Sequence, residues 1–223
     1  MNDFKQSVFT FHQHPLYDEN DFVVTTCNQN AHDFLLNAQI PYAPFYLLQG
    51  AQGSGKSHLA RLWQNKNNAL LIDFKTKQSP YDILSPSSFF MADPIIFTTD
   101  PALEEKIFHF YNVAKELNAS ILLVLETPLS ATTLQLKDLE SRLKASPLLS
   151  ILPPDDEMLK FLIVKQLSDR QISLDATLLD FLMKRIERSF KIIPDLVARI
   201  DALSLECQRK ITIPLLKEVM ENL

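Results

Sequence analysis

Three glycines, a lysine and two serines fall within Gly50-Ala51-Gln52-Gly53-Ser54-Gly55-Lys56-Ser57, and these are the only glycines in a chain of 223 residues. Glycine is needed where the backbone takes positive φ or approaches a ligand closely. The spacing fits G-x-x-x-x-G-K-[ST]: backbone N–H groups wrap a phosphate chain, the lysine reaches its terminal phosphates and the hydroxyl ligates Mg2+. The apolar run Phe45-Tyr46-Leu47-Leu48 precedes the motif, and a helical segment from Ser57 to Gln64 follows it. That order of strand, loop and helix presents the positive helix end to an anion. The motif therefore predicts bound ADP or ATP with Mg2+, held by residues 50–57 and by His58 on the first helical turn. Two later apolar runs end in carboxylates, Asp73 and Asp93. Asp73 follows the loop helix closely and is expected to end a neighbouring strand. Asp93, after Phe89-Phe90-Met91-Ala92, is the expected partner of Ser57 at the metal. The next position, where a second carboxylate often orients the attacking water, is Pro94, which can do no proton chemistry. Tight binding with weak hydrolysis is the expectation.

The elements that must position these groups alternate. Ala31 to Ala38 reads as a helix, and Ala69 to Ile72 and Phe89 to Ala92 read as strands. Asp100-Pro101 starts a long helix, the aspartate capping it and the proline suiting its first turn. Leu103, Ile107, Phe110, Ala114 and Leu117 share one face of that helix. Ile121 to Leu125 is a fourth strand, about 132–145 a helix, and Leu149 to Leu152 a fifth strand. Strand and helix in alternation predict an α/β core with a parallel sheet. After Pro153-Pro154 only helices are expected, at about 155–169, 175–188, 192–207 and 214–222. The chain divides on this basis into a tail over 1–20, a nucleotide-binding core over 21–153 and a helical lid over 154–223.

The bulk numbers fit such a protein. The hydrophobic share is 46%, the charged share 22% and the net charge −5. There is no global positive field for a nucleic-acid polymer. The two cysteines, Cys27 and Cys207, form no C-x-x-C pair, so neither a zinc site nor a redox motif is indicated. Residues 1–11 lack the apolar stretch of a signal peptide, and the run Ile121 to Leu125 is far too short to span a bilayer. A cytoplasmic protein with no membrane contact is expected. His12 and His14 could pinch a metal but lack a third ligand.

Several of these residues together carry a family resemblance. The order of the glycine motif, Phe-Phe-Met-Ala-Asp93, Glu126-Thr127-Pro128, Leu139-Glu140-Ser141-Arg142-Leu143 and an all-helical end resembles an AAA+ ATPase of the DnaA clade. The segments Arg209 to Val219 and Asp21-Phe22-Val23-Val24, with Cys27-Asn28 and Ala31, are similar to the Hda family of DnaA-related regulators. The resemblance implies an AAA+ P-loop core followed by a helical lid. It implies that Arg142 is a trans arginine finger, offered to the nucleotide of a neighbouring DnaA subunit and promoting hydrolysis of its ATP. Lys191 matches the second-sensor arginine. Lysine keeps the charge without the bidentate fork, which favours ADP as resident ligand. Glu126 matches an acidic position after the fourth strand, and Phe22, Val23 and Asn28 are expected around the adenine. In the tail, Gln6-Ser7-Val8-Phe9-Thr10-Phe11 looks like a sliding-clamp binding motif, with Phe9 and Phe11 as plugs and Gln6 as hydrogen-bonding rim contact. A homodimer that hides the finger fits the habit of AAA+ subunits. Sequence-specific DNA binding is not expected, because no helix-turn-helix follows the lid. The rival expectations are an adaptor that recruits replication proteins without triggering hydrolysis, and an autonomous P-loop ATPase.

Overall fold

The computed structural model describes residues 21–37, 41–95, 100–207 and 211–221. Five strands form one parallel sheet: β1 (Phe45–Gln49), β2 (Leu70–Leu71), β3 (Phe89–Ile95), β4 (Ser120–Leu125) and β5 (Leu148–Ser150), in the order β2-β3-β4-β1-β5. β4 and nearly all of β1 are buried along their length, as parallel strands covered on both faces must be. Alternate side chains feed two cores. Phe45, Leu47, Phe90, Ile121 and Leu123 face α4 (Pro101–Glu116) and α5 (Lys137–Ala145). Tyr46, Leu48, Met91, Leu122 and Val124 face α1 (Gln29–His32), the π-turn after it (Asp33–Asn37) and α2 (Lys56–Asn67). The one tryptophan, Trp63 of α2, is fully buried edge-on to Phe89.

The order β4-β1-β5 places the C-terminal end of β1 between the ends of β4 and β5. The register pairs Leu47 with both Leu123 and Leu148. β3 runs to Ile95, three residues beyond the run expected from sequence. Asp93 is therefore not a strand end but lies inside an irregularity, where the β3–β4 register shifts between Ala92 and Ile95. Pro94 has no N–H for the ladder, and a bulge is where a strand tolerates that. Pairing resumes when Glu126 N donates to Ile95 O at 2.9 Å. A short helix missed by sequence, α3 (Pro80–Ile83), carries a Ser79/Asp82 capping box.

The helix expected over about 132–145 is shorter: α5 begins at Lys137. The reason is a side chain from elsewhere. Glu104 of α4 accepts the N–H of Gln135 at 2.9 Å and of Leu136 at 2.7 Å, which holds that stretch extended. The remaining helices, α6 (Asp156–Ser168), α7 (Ala176–Met183), α8 (Ile192–Cys207) and α9 (Ile213–Glu221), share a third core built on Leu159, Ile163, Leu182, Leu196, Val197 and Leu216. α7 stops before the expected 188, and past its end the N–H groups of Arg185 and Ile186 share one acceptor, Leu182 O. The chain then delivers Phe190 to the sheet-side core, where Met158 of α6 also packs.

One aspartate fastens this junction. Asp155 caps α6 by accepting Met158 N at 2.8 Å, and its other oxygen accepts the Thr26 hydroxyl at 2.7 Å and Cys27 N at 3.3 Å. Burial alone would raise its pKa. The hydrogen bonds from Thr26, Met158, Thr25 and Cys27 outweigh that and hold it below the usual carboxylate value. A depressed folded pKa contributes stability above the unfolded value, about 4, and loses it as pH falls through the folded one. Asp155→Ala is expected to destabilise the fold by about 1–2 kcal/mol at pH 7. Chemical denaturation should show that deficit shrinking below pH 4; a variant as stable as the parent at pH 7 would refute the staple.

Candidate phosphate-binding site

β1 hands over to α2 through Gly50–Gly55, and Gly55 is the N-cap of α2 with φ 87°. Gly53 also has positive φ, at 78°. At Gly50 a side chain would have to push its neighbours aside. A Cβ there would lie 2.8 Å from Ser54 Oγ and 3.1 Å from Ile151 Cβ. Added at Gly53, a Cβ would meet Phe190 at 3.5 Å, and at Gly55 it would meet Phe22 at 3.6 Å. The loop is thus walled by the chain end of β5, the α7–α8 connection and the N-terminal approach.

Lys56 is buried, and its ammonium donates to Gly50 O at 2.8 Å and Ala51 O at 3.0 Å. Burial lowers its pKa, while the charges of Glu126 and Asp93 push it back up. Those two carboxylates therefore lie close enough to Lys56 to act on it. Ser57 Oγ donates to Asp93 Oδ1 at 3.2 Å. This is the pairing expected of two groups that would share a divalent cation, and Asp73 has no such contact with the loop among the described residues. Burial raises the Asp93 pKa against the Ser57 hydrogen bond and the charges of Arg61 and Lys56. Ser54 Oγ is buried with no hydrogen-bond partner among the described residues. A polar atom orphaned at the loop suits a ligand that supplies the missing bond. Gln49, the residue before the loop, bridges its neighbours: its amide donates to Ser150 Oγ at 3.0 Å and accepts from Leu129 N at 3.3 Å.

Beside the loop lies a cavity of about 230 Å³ lined by Phe22, Val23, Asn28, Gly53, Ser54, Gly55, His58, Phe161, Lys165 and Phe190, among others. Phe22 stacks on His32 and meets His58 edge-on, with centroids 5.8 Å and 5.2 Å apart. Asn28 lines the cavity, but its amide is committed to backbone, accepting from Thr25 N at 2.8 Å and donating to Val23 O at 2.9 Å. These two bonds shape the approach segment and leave a second N–H and a second lone pair on the amide. Lys191 is exposed and outside the cavity wall; its N–H donates to Ser189 Oγ at 3.2 Å. Ala51 and Gln52 are exposed at the loop tip. Sequence reasoning missed Phe161, Lys165 and Phe190. Lys165 meets Asp21 at 2.7 Å, a pairing 144 residues apart that no local pattern signals.

Arg142 sits in α5, exposed, with its guanidinium 5.8 Å from the centre of the Tyr111 ring. A helix ion pair does not hold it. Glu140 takes Lys137 at 2.9 Å and Lys144 at 2.7 Å, which pulls the Glu140 carboxyl down to about 2. Arg142 has no ion pair among the described residues. Gln6, Phe9 and Phe11, like His12 and His14, lie outside the described residues.

Residues 155–220 match the family model of the Hda lid domain. The fold as a whole is similar to domain III of the Thermotoga maritima replication initiation protein DnaA, with TM-score 0.73 and 16% identity over 93% of this chain and 97% of that one. It is also similar to Aquifex aeolicus DnaA bound to AMPPCP, with TM-score 0.64 and 20% identity over 86% and 67%. The α6–α9 unit is thus a lid domain of the Hda type. The core before it shares the fold of these two DnaA structures. An uncharacterized protein of Haemophilus influenzae is 27% identical over 193 residues, 79% of this chain and 81% of that one. No helix among the described residues is long and apolar enough to cross a membrane.

The raised Asp93 pKa has a sign that can be measured. The folded state holds that proton more tightly than the unfolded chain, so the group stabilises at acid pH and ceases to as pH rises through its folded value. In chelator, Asp93→Asn is expected to melt higher than the parent at pH 7, with the gap closing towards pH 4. The same variant should lose the extra stabilisation that Mg2+ adds in the presence of ADP. A lower melting temperature at pH 7 in chelator would contradict the assignment.

Proposed function

We propose that this chain is a nucleotide-bound regulator of chromosome replication initiation, which promotes hydrolysis of ATP bound to DnaA. The observation that supports this best is the pairing of two features. The loop has the lysine, hydroxyl and aspartate of a phosphate site, but Pro94 stands where a water-orienting carboxylate would be. Arg142, meanwhile, is exposed on α5 outside any ion pair among the described residues. The nucleotide at Gly50–Ser57 is then a structural ligand, ADP by preference, with Ser57 and Asp93 holding Mg2+. The neighbouring DnaA fold, solved with the ATP analogue AMPPCP, supports a nucleotide in this position. Mg2+ supplies charge neutralisation there when bound. Lys56 would turn from its own loop carbonyls to the terminal phosphate, and Ser54 Oγ would gain its missing partner. Phe22, Val23, His58 and the wall from α6 would enclose the base.

At the partner, the Arg142 guanidinium would stabilise charge developing on the transferred phosphoryl group. A finger supplied in trans is worth about 10³–10⁵ in rate. The core over 21–153 and the lid over 154–223 act as the two clamping units, the tail over 1–20 recruits the protein to the sliding clamp, and the setting is the cytoplasm. A homodimer that buries Arg142 would be its resting form.

Arg142→Ala is expected to abolish stimulation of DnaA ATP hydrolysis, by on the order of 10³-fold, and to leave nucleotide binding by this chain intact. Single-turnover hydrolysis with purified DnaA reads this. Full stimulation by the variant would favour the adaptor that recruits without triggering hydrolysis. For the tail, replacing Gln6 and Phe11 with alanine should weaken clamp binding at least tenfold, since the rim contact and one plug are lost together. Surface plasmon resonance on immobilised clamp would show it, and unchanged affinity would remove the tail from the account.

A further inference from the structure

Glu104 and Lys56 are the two buried charged residues among the described residues, and Glu104 is only 1% exposed. Lys56 belongs to the phosphate loop. Glu104 has no part in it. It lies in the first turn of α4, beneath the chain that leads into α5. Its Oε2 accepts Gln135 N at 2.9 Å and Leu136 N at 2.7 Å, and its Oε1 lies 3.2 Å from Gln135 N. Leu136 is the N-cap of α5 and makes no side-chain cap of its own. The carboxylate of Glu104 thus holds the N–H of the N-cap residue, as the third-position acid of a capping box does, but from another helix, and its charge complements the positive end of α5.

Tyr111 is seven residues further along α4, on the same face, and its ring lies under Arg142. Between these two points Leu139 and Leu143 of α5 share a core with Ile107 and Phe110 of α4. α4 therefore holds α5 at its start through Glu104 and at Arg142 through Tyr111. A buried carboxylate is a poor choice for stability alone, because a packed apolar residue avoids its desolvation. What the carboxylate adds is direction. Two backbone N–H groups aimed at one side chain fix where α5 begins, and so fix the turn on which Arg142 stands.

We propose that Glu104 is a positioning residue for Arg142: it sets the start and rotation of α5 so that the guanidinium projects beside Tyr111 in the pose needed to reach a second subunit's nucleotide. This rests on the finger reading of Arg142. Misplacement of a reacting group by about 1 Å can cost on the order of 10²-fold in rate, so a helix start freed by one turn is enough to matter.

The test compares Glu104→Gln, Arg142→Ala and the double variant in the full-length protein. Glu104→Gln keeps the shape and one acceptor but turns an N–H-bearing nitrogen toward the α5 start. Leu136→Pro is the second route, deleting the closest donor at a φ of −81°, which proline accepts. In both, the Arg142 Nε–H resonance should lose its Tyr111 ring-current shift, while nucleotide affinity stays within twofold of the parent. Stimulated hydrolysis should fall at least tenfold in maximal rate, with half-saturating DnaA unchanged, and the double variant should be no slower than Arg142→Ala alone. An Arg142 resonance unmoved in both variants, or a double variant slower than Arg142→Ala, overturns the proposal. If Arg142→Ala itself leaves stimulation intact, the finger reading fails, and the resonance still decides whether Glu104 positions Arg142.

Discussion

A loop that grips phosphate with its own N–H groups must be free of side chains, and so has little of its own to pack with. In this chain the shape of Gly50–Gly55 is imposed from three directions, by Ile151 at the end of β5, by Phe190 of the lid and by Phe22 of the approach segment. These belong to distant parts of the sequence. The lid and the core cannot settle independently of the loop, since Phe190 packs against Gly53 and into the sheet-side core at once. Asp155 and the Asp21–Lys165 pair tie the same junction, joining the approach segment to α6. A ligand between these walls would therefore stabilise the lid and the core together.

Three charged groups inside the fold are satisfied to different degrees, and the difference separates architecture from chemistry. Glu104 accepts backbone N–H groups with both oxygens and needs nothing more. Lys56 rests on two carbonyls of its own loop, contacts that it can exchange for a phosphate without leaving its place. Asp93 accepts the Ser57 hydroxyl, and burial pushes its pKa up. A carboxylate in that position is a burden on the sheet until a cation offsets it. The strand irregularity at Ala92–Ile95 places it there, against the end of α2 that the loop has already fixed.

The parts of this molecule governed by local rules were legible in the sequence. The five strands, the long α4 with its Asp100 cap and the glycine loop follow from apolar runs, capping chemistry and glycine placement, because each is decided within a few residues. The failures share one cause. The start of α5 is set by Glu104 from 31 residues away, and nothing in Thr132 to Leu136 announces that a carboxylate elsewhere will hold the chain extended. The reach of β3 through Pro94 is set by pairing with β4, against the local expectation that proline ends a strand. Lys191 stands out only through its match to the second-sensor position, whereas nothing local marks its neighbour Phe190 as the residue that packs against Gly53. In each case a contact between distant segments overrode a local preference.

The pose of Arg142 completes the case for its availability. Asp138 lies one turn before it on α5, at the i−4 position where an acid and an arginine pair favourably. The guanidinium instead faces the Tyr111 ring. The energies do not force that choice, since an exposed i,i+4 pair is worth about 0.3–0.5 kcal/mol and an exposed cation–π contact about 0.5–1 kcal/mol. The consequences for the donors differ. An ion pair would engage N–H groups of the fork, whereas the contact with the ring, 5.8 Å from its centre, occupies no oxygen acceptor. Glu140 takes both neighbouring lysines and so removes the other nearby carboxylate from competition. Arg142 is thereby held in place without being occupied, which is the condition a side chain must meet if the acceptor it serves arrives on another molecule.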